Sequence, residues 1–275
     1  MVKCIVIGAA GKMGTRIIHA ISHTEGIQLV GAVETRGHTA VGTDAGICAG
    51  MGTIGIPIVD RIEESPSDFE VLIDFSTPES SLQTLEYVVL RKKAVVIGTT
   101  GFSPEQNERI KNAASSIPCV CAPNMSVGIN LMFSIIRHLA SILRDEYDIE
   151  IIESHHRLKK DAPSGTAMKI AQILSQTLKR DLDQVAVYQR KGFTGIRRRE
   201  EIGIQVIRAG DIVGDHTVLF AGPGERLEIT HRAHSRDTFA QGAVKAALWV
   251  ATQKPGLFDM QDVLGLRTSG MSDER

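Results

Sequence analysis

Cysteine is scarce in this chain of 275 residues, aromatics are few and net charge is nearly absent, and each shortage excludes something. The four cysteines, Cys4, Cys48, Cys119 and Cys121, form no CxxC pair and no Cys/His spacing suited to zinc. Neither a disulfide framework nor a metal site is therefore expected. Cys119 and Cys121 fall two apart in an apolar run, which puts both on one face of a strand as reduced, buried thiols. With 31 Lys+Arg against 32 Asp+Glu the formal charge is −1, so no basic field argues for nucleic acid. Arg197-Arg198-Arg199 runs straight into Glu200-Glu201 and reads as a solvated loop. No apolar run approaches the ~18 residues of a membrane span, and the first residues enter a strand without a charged-then-apolar leader. The expectation is a cytoplasmic protein with no membrane partner. Hydrophobic residues at 43% and charged ones at 23% fit a globular chain, long enough for two ordinary domains.

What is present begins with the apolar run Val2–Ile7, interrupted only by Lys3, as a parallel strand buried on both faces would read. It opens into Gly8-Ala9-Ala10-Gly11-Lys12-Met13-Gly14, and a helical period follows in Ile17, Ile18 and Ile21. Glycines there permit a tight turn and let a pyrophosphate approach the backbone at a helix N-terminus. The spacing is G-x-x-G-x-x-G, not the usual G-x-G-x-x-G. A second strand, Ile27–Val33, ends in Glu34, twenty residues beyond Gly14, where an acid suits the adenine ribose hydroxyls. Residues 37–55 read as a loop around the adenosine half of a cofactor. Strands at 69–75, 94–97 and 118–122 then alternate with helices at 79–91 and from Ser103-Pro104-Glu105-Gln106, a capping box, to about residue 116. This alternation predicts a Rossmann-type doubly wound parallel sheet. The polar segments 74–77, Gly98-Thr99-Thr100-Gly101 and Ala122-Pro123-Asn124-Met125-Ser126 end three of its strands, where such sheets bind ligands.

The second half changes character. A helix over 127–147 has Ile129, Met132, Phe133, Ile136, Leu139, Ala140 and Leu143 on one face. Short strands at 202–209, 216–221 and 226–234 predict a second α+β domain with a mostly antiparallel sheet. The expected division is 1–126 for dinucleotide binding and 127–235 for a second, substrate-binding domain. A last helix at 238–252 and the tail after Gly256 should pack back on the first domain, so that 236–275 completes it. His216 reads as a strand residue satisfied locally. His231 and His234 fall at a spacing that faces them to opposite sides, which argues against a metal.

Between the halves, Ile149-Glu150-Ile151-Ile152 reads as a strand that runs on through Glu153-Ser154-His155-His156-Arg157-Leu158-Lys159-Lys160-Asp161 to Pro163-Ser164-Gly165-Thr166. Ser164 is the expected N-cap of a helix to about residue 179. Two imidazoles, two lysines and a helix N-terminus thus fall together, the equipment for holding a carboxylate while a proton is moved.

On these motifs, and on Arg208-Ala209-Gly210-Asp211-Ile212-Val213-Gly214-Asp215-His216, the whole chain resembles the 4-hydroxy-tetrahydrodipicolinate reductase (dihydrodipicolinate reductase) family of lysine/diaminopimelate synthesis. The resemblance implies reduction of a cyclic dicarboxylate by NADH or NADPH in a homotetramer. It implies His155 as acid/base, Lys159 as a second proton donor, and His156, Ser164, Gly165 and Thr166 as substrate contacts. It also implies a cofactor cleft of Gly8 to Met13, Glu34, Gly98 to Thr100 and Ala122 to Met125. Thr35 follows Glu34 where some members carry Arg, and Arg36 comes one later; both cofactors are expected to serve, with a modest preference for NADH. Two other functions stay open beside this one. A semialdehyde dehydrogenase would need a nucleophilic cysteine at a helix start, and no cysteine is so placed. A nucleotide-sensing regulator would need no His/Lys cluster and would not consume NADH when substrate is added.

Overall fold

Alternate residues of the first strand enter two different hydrophobic cores. In the computed structural model, which describes residues 1–267, β1 (Val2–Ile7) sends Cys4 and Val6 to one side and Ile5 and Ile7 to the other. A strand with no polar face suits a parallel sheet covered on both sides. The chain continues through α1 (Gly14–Ser22), β2 (Ile27–Val33), α2 (Ala45–Cys48), β3 (Ile58–Val59), β4 (Val71–Asp74), α3 (Pro78–Arg91), β5 (Ala94–Ile97), α4 (Pro104–Ala114) and β6 (Pro118–Cys121). β4 and β5 repeat the two-sided burial. Val71, Ile73, Ala94 and Val96 join the core under α1, while Leu72, Val95 and Ile97 join Leu82, Leu85 and Ile110 of α3 and α4. Cys119 and partly buried Cys121 belong to the second of these cores.

The chain next forms α5 (Val127–Leu143), β7 (Asp148–His155), α6 (Gly165–Thr177), α7 (Leu182–Val185), β8 (Ala186–Val187), β9 (Ile202–Arg208), β10 (Gly214–Gly222) and β11 (Glu225–Ala233). It ends with α8 (Asp237–Val250), β12 (Gly256–Phe258) and α9 (Met260–Val263). Two compact units result: Met1–Val127 with the chain from Arg236 onward, and Gly128–Ser235. Of the expected closing segment 236–275, residues 268–275 lie outside the described residues.

The first unit's sheet has the order β12-β6-β5-β4-β1-β2-β3, with every ladder parallel. From β1 the chain first builds outward through β2 and β3, then crosses to β4 on the other side. That reversal puts the loop after β1 at the sheet's switch point, where ligands bind beyond the strand ends. The Ser103 capping box forms as expected: its hydroxyl accepts from the Gln106 N–H at 3.2 Å, and the Gln106 side chain accepts from the Ser103 N–H at 2.8 Å. β12, three residues beside β6, was not foreseen as a strand.

In the second unit the order is β11-β10-β7-β9-β8. The sheet is mostly antiparallel, as expected, through β10 with β11 and β7, but it is mixed: β9 lies parallel to both β7 and β8. The helices α6 and α7 intervene between β7 and β9, and a crossover of that kind returns the chain parallel. Ile149 and Ile151 of β7 pack with Met132, Phe133 and Ile136 of α5 and Ile170 and Leu174 of α6. Truncating a buried Ile or Leu there to Ala should cost about 2–5 kcal/mol.

The stretch Val127–Glu146, 20 residues at mean hydropathy 1.2, is long and apolar enough by composition to cross a membrane, but polar residues interrupt it and its inner face is packed into the second unit's core. Two local expectations change. Residues 37–55 are not a plain loop: Asp44 caps α2 and binds the N–H groups of Ile54, Gly55 and Ile56 at 3.1, 2.7 and 3.1 Å. Arg197 is not solvated, with a side chain 19% exposed; it donates to Asp148, Glu150 and the carbonyls of Ile149 and Glu201.

Candidate active site

The loop after β1 can be made only with glycine at two places. Gly8 has φ +71°, and a Cβ there would stand 2.9 Å from the Phe75 carbonyl oxygen. A Cβ on Gly14 would stand 2.0 Å from the Gly8 carbonyl oxygen, backbone against backbone. The α1 N-terminus that follows has no side-chain cap. Ala9 sits in the core, its N–H on the Val33 carbonyl at 3.0 Å. Ala10 donates its N–H to Glu34 Oε2 at 3.0 Å, and Thr35 donates its own to Oε1 at 2.8 Å. Glu34, 9% exposed, is thereby fixed at the end of β2.

Two cavities flank this loop within the first unit. One, of about 590 Å³, is lined by Gly8, Glu34, Thr35, Arg36, Asp60 and Arg61 among others. The expected loop 37–55 does not line it; residues 60–63 and α3 do. The other, of about 260 Å³, lies between Met13, Phe75, Gly98, Ala122–Met125, Arg236 and Phe239. Gly98 is needed here too, since a Cβ would meet the Phe75 ring at 2.1 Å. Asp74, fully buried, ties the β4 and β5 loops together. Its Oδ1 accepts from the Ser76 N–H and hydroxyl at 2.9 and 2.6 Å and from the Thr99 hydroxyl at 3.4 Å. Burial pushes the Asp74 carboxyl above its usual range, against these hydrogen bonds. Thr99 is thus a brace between loops, while Lys12, Gly11 and Thr100 line neither cavity. An uncapped helix start, an acid at the β2 terminus and a largely apolar slot behind Phe75 fit the pyrophosphate, ribose and nicotinamide of a dinucleotide.

The second unit gathers a different set. The inward positions of β7 are Ile149, Ile151, Glu153 and His155, so an apolar strand face ends in two titratable groups. His155 Nδ1 lies 2.5 Å from Glu153 Oε2. Arg208, across the β7–β9 ladder, forks onto both Glu153 oxygens at 2.9 Å each, and the Ser164 N–H reaches Oε1 at 2.9 Å. Ser164 caps α6 as expected, its hydroxyl accepting from the Ala167 N–H at 3.2 Å. His216, 4% exposed, pairs with Glu153 across the β7–β10 ladder; its Nε2 is 3.2 Å from Ser164 Oγ and its ring centroid 5.2 Å from that of His155. Lys159 Nζ is 2.9 Å from Asp161 Oδ2. His156 Nδ1 is buried without a hydrogen-bond partner, and Gly165 opens on free space.

Electrostatics keep this cluster in one charge state near neutrality. Burial lowers the His155 pKa, aided by Lys159 and Arg208, against the pull of Glu153. Burial takes His216 down to about 3, so both rings are neutral. Burial alone would raise Glu153, but Arg208, His155 and the Ser164 N–H hold it below the usual carboxylate range. A neutral imidazole beside a helix N-terminus can exchange a proton with a bound dianion.

The sequence-predicted residues therefore fall into two groups: Gly8 to Gly14, Glu34, Gly98 and Ala122 to Met125 in the first unit, and His155, His156, Lys159 and Ser164 to Thr166 in the second. Sequence reasoning passed over Glu153, Arg208 and His216 as site residues, and Phe75, Arg236 and Phe239 on the second cavity. A polar residue at an inward position of an otherwise apolar strand was the available signal. Among the described residues no His/Cys/Asp/Glu group is arranged to hold a metal ion. Burial drives the Cys4 thiol up to about 12 and Cys121 to about 11, which removes both as nucleophiles.

Known proteins resemble the chain over its length. Residues 2–125 match the family model described as "Dihydrodipicolinate reductase, N-terminus", and residues 128–264 the one described as "Dihydrodipicolinate reductase, C-terminus". The 4-hydroxy-tetrahydrodipicolinate reductase of Geotalea uraniireducens (strain Rf4) is 55% identical over 97% of this chain and all of its own. That of Syntrophus aciditrophicus (strain SB) is 53% identical over 98% of this chain and all of its own. Among solved structures, the dipicolinate-bound dihydrodipicolinate reductase of Paenisporosarcina sp. TG-14 has the same fold, with TM-score 0.75 at 24% identity over 95% of this chain and 98% of that one.

Proposed function

The chain belongs to the dihydrodipicolinate reductase family, and from that premise we propose how its residues divide the reaction. It is a nicotinamide-dependent reductase of lysine/diaminopimelate biosynthesis that converts 4-hydroxy-tetrahydrodipicolinate to tetrahydrodipicolinate. The net change replaces a ring hydroxyl with hydrogen, so one hydride and one proton enter and water leaves. The bound reduced nicotinamide supplies the hydride. Everything else falls to the chain.

In the first unit, Gly8 to Gly14 and the open α1 N-terminus hold the pyrophosphate, and Glu34 holds the adenine ribose. Gly98 and Ala122 to Met125 seat the nicotinamide ring, with Thr99 bracing the loop beside it. In the second unit, Ser164, Gly165 and Thr166 at the start of α6 hold a substrate carboxylate, with His156 as a further contact. His155 takes up a proton at Nε2 and passes it on to the substrate, and Lys159 is the second donor, released from Asp161 when a dianion arrives. The observation that carries this division is the His155 imidazole, held neutral by burial and turned by the 2.5 Å bond of Nδ1 to Glu153. Nicotinamide absorbance, followed with and without substrate generated in situ, tests it: no substrate-dependent loss of NADH overturns the function.

Both NADH and NADPH serve, NADH somewhat better, since Glu34 faces the ribose while Arg36 stands close by. The chain works in the cytoplasm as a homotetramer. Supporting this assembly, Val206, Ile207 and Leu227 of β9 and β11 are exposed at 38%, 45% and 39%. Light scattering should return four times the 29.8 kDa chain mass, and a monomer would refute it.

A further inference from the structure

Glu153 makes more contacts than a strand residue needs. It is fully buried, and its two oxygens accept four donors: His155 Nδ1 at 2.5 Å and Arg208 Nη1 at 2.9 Å on one, Arg208 Nη2 and the Ser164 N–H, both at 2.9 Å, on the other. Arg208 is itself held by the Ile207 and Asp161 carbonyls at 2.8 and 2.7 Å. A buried ion pair of this kind is weak support for stability by itself, because desolvation offsets most of the attraction. Its geometry has another consequence. One carboxylate touches the imidazole, the first residue of the α6 N-terminus and, through Arg208, the turn that carries Lys159.

We infer that Glu153 is the positioning residue of the reaction: it fixes His155 in the Nδ1–H tautomer with Nε2 turned outward, and ties that nitrogen at a set distance from the Ser164–Thr166 carboxylate cradle. The inference rests on the proposed roles of His155 and of the α6 start. A carboxylate on one ring nitrogen leaves the other to carry the lone pair or the transferable proton. On that outer side a Cβ built on Gly214 would lie 3.0 Å from Nε2, so a larger residue there would crowd the proton's path. Arg208 has a second task. An unshared carboxylate would favour the imidazolium and leave the ring charged between turnovers. By forking onto the same oxygens, Arg208 takes up much of that charge, so Glu153 orients the ring without locking a proton onto it.

Glu153→Gln separates orientation from bulk. An amide has one acceptor and one donor end, and either placement sets its NH2 against existing donors. Against His155 and Arg208 Nη1, the conflict with the ring is relieved if the imidazole changes to the Nε2–H tautomer, while Arg208 Nη1 still faces a donor and must shift. Against Arg208 Nη2 and the Ser164 N–H, it loosens the α6 start. Removing such a partner of a functional histidine lowers activity by roughly 10–100-fold. The expected result is that loss in kcat with an unchanged NADH dissociation constant, and a shift of the His155 ring ¹⁵N signals from Nδ1–H toward Nε2–H. In a His155→Ala background the same substitution should remove little further rate. If Glu153→Gln costs as much with His155 absent as present, the effect is structural and the inference fails. The wild-type ring signals decide it even if the variant folds poorly, because a predominant Nε2–H tautomer near neutral pH overturns it. If His155→Ala itself keeps near-normal turnover, it is the acid/base assignment beneath the inference that has failed.

Discussion

Changing Glu34 to Gln should turn the enzyme toward NADPH. The carboxylate cannot swing away from a 2′-phosphate, because the N–H groups of Ala10 and Thr35 hold its two oxygens at 3.0 and 2.8 Å. Around it the larger cavity has four acids, Glu34, Asp60, Glu63 and Glu79, against two arginines, Arg36 and Arg61, so its lining is net negative. Two like charges 4 Å apart repel by about 1 kcal/mol in water and about 4 at an effective dielectric of 20. An open cavity lies nearer the first value, and a phosphate with a charge of about −1.5 to −2 sets the penalty at ~1–2 kcal/mol. Arg36 can offset part of this. It is exposed at 91% and stands 4.0 Å from Asp60, so it is loosely engaged, and an exposed pair with the phosphate is worth about 0.2–1 kcal/mol. The remainder is a preference for NADH of roughly tenfold or less, since 1.4 kcal/mol is a factor of ten. Specificity constants for both cofactors, in the wild type, Glu34→Gln and Arg36→Ala, give the answer. Glu34→Gln should move the ratio roughly tenfold toward NADPH, and Arg36→Ala should move it back toward NADH. A wild type that strongly favours NADPH, or an NADPH constant unmoved by Arg36→Ala, would refute the reasoning.

Gly14→Ala puts a methyl 2.0 Å from the Gly8 carbonyl and should abolish nucleotide binding by calorimetry while the far-UV spectrum stays native; retained affinity would mean the pyrophosphate lies elsewhere. Thr166→Val should weaken an aromatic dicarboxylate inhibitor more than it weakens the cofactor, and an equal loss of both would move the carboxylate away from α6. Stability should fall as pH drops below about 6.5, because His216 stays neutral in the fold down to about 3 while the unfolded chain takes up its proton. The slope for that group is about 1.4 kcal/mol per pH unit, lost progressively from 6.5 toward 3. Urea midpoints between pH 5 and 6.5 should therefore decline in the wild type and decline less in His216→Gln; identical slopes would contradict the buried neutral ring.

Local signals carried most of the fold and half of the site. Pro104 behind Ser103, with Gln106 at the third position, specifies a helix start without help from the rest of the chain, and Ser164 does the same for α6. The two-faced burial of β1 and the acid closing β2 follow from composition within a few residues. What escaped depends on partners distant in sequence. β12 exists because three residues find β6, too short a run for any period to show. The parallel pairing of β9 with β7 is set by the crossover through α6, and alternation along β9 is the same either way. Arg208 and His216 look like ordinary strand residues until register brings them opposite His155 and Glu153. Asp44 likewise organises N–H groups ten and more residues downstream, which no window centred on 37–55 exposes.

The division of labour between the two units is the central claim, and one experiment bears on it most directly. NADH oxidation is followed with substrate generated in situ, in the wild type, His155→Ala and Lys159→Ala, with the NADH dissociation constant measured for each. Loss of a proton-transfer group should cost roughly 10²–10⁴-fold in rate. Both residues belong to the second unit and neither to the nucleotide loop, so NADH affinity should stay near the wild-type value. Turnover near wild type in either variant, or loss of rate that merely tracks loss of NADH binding, would contradict the account.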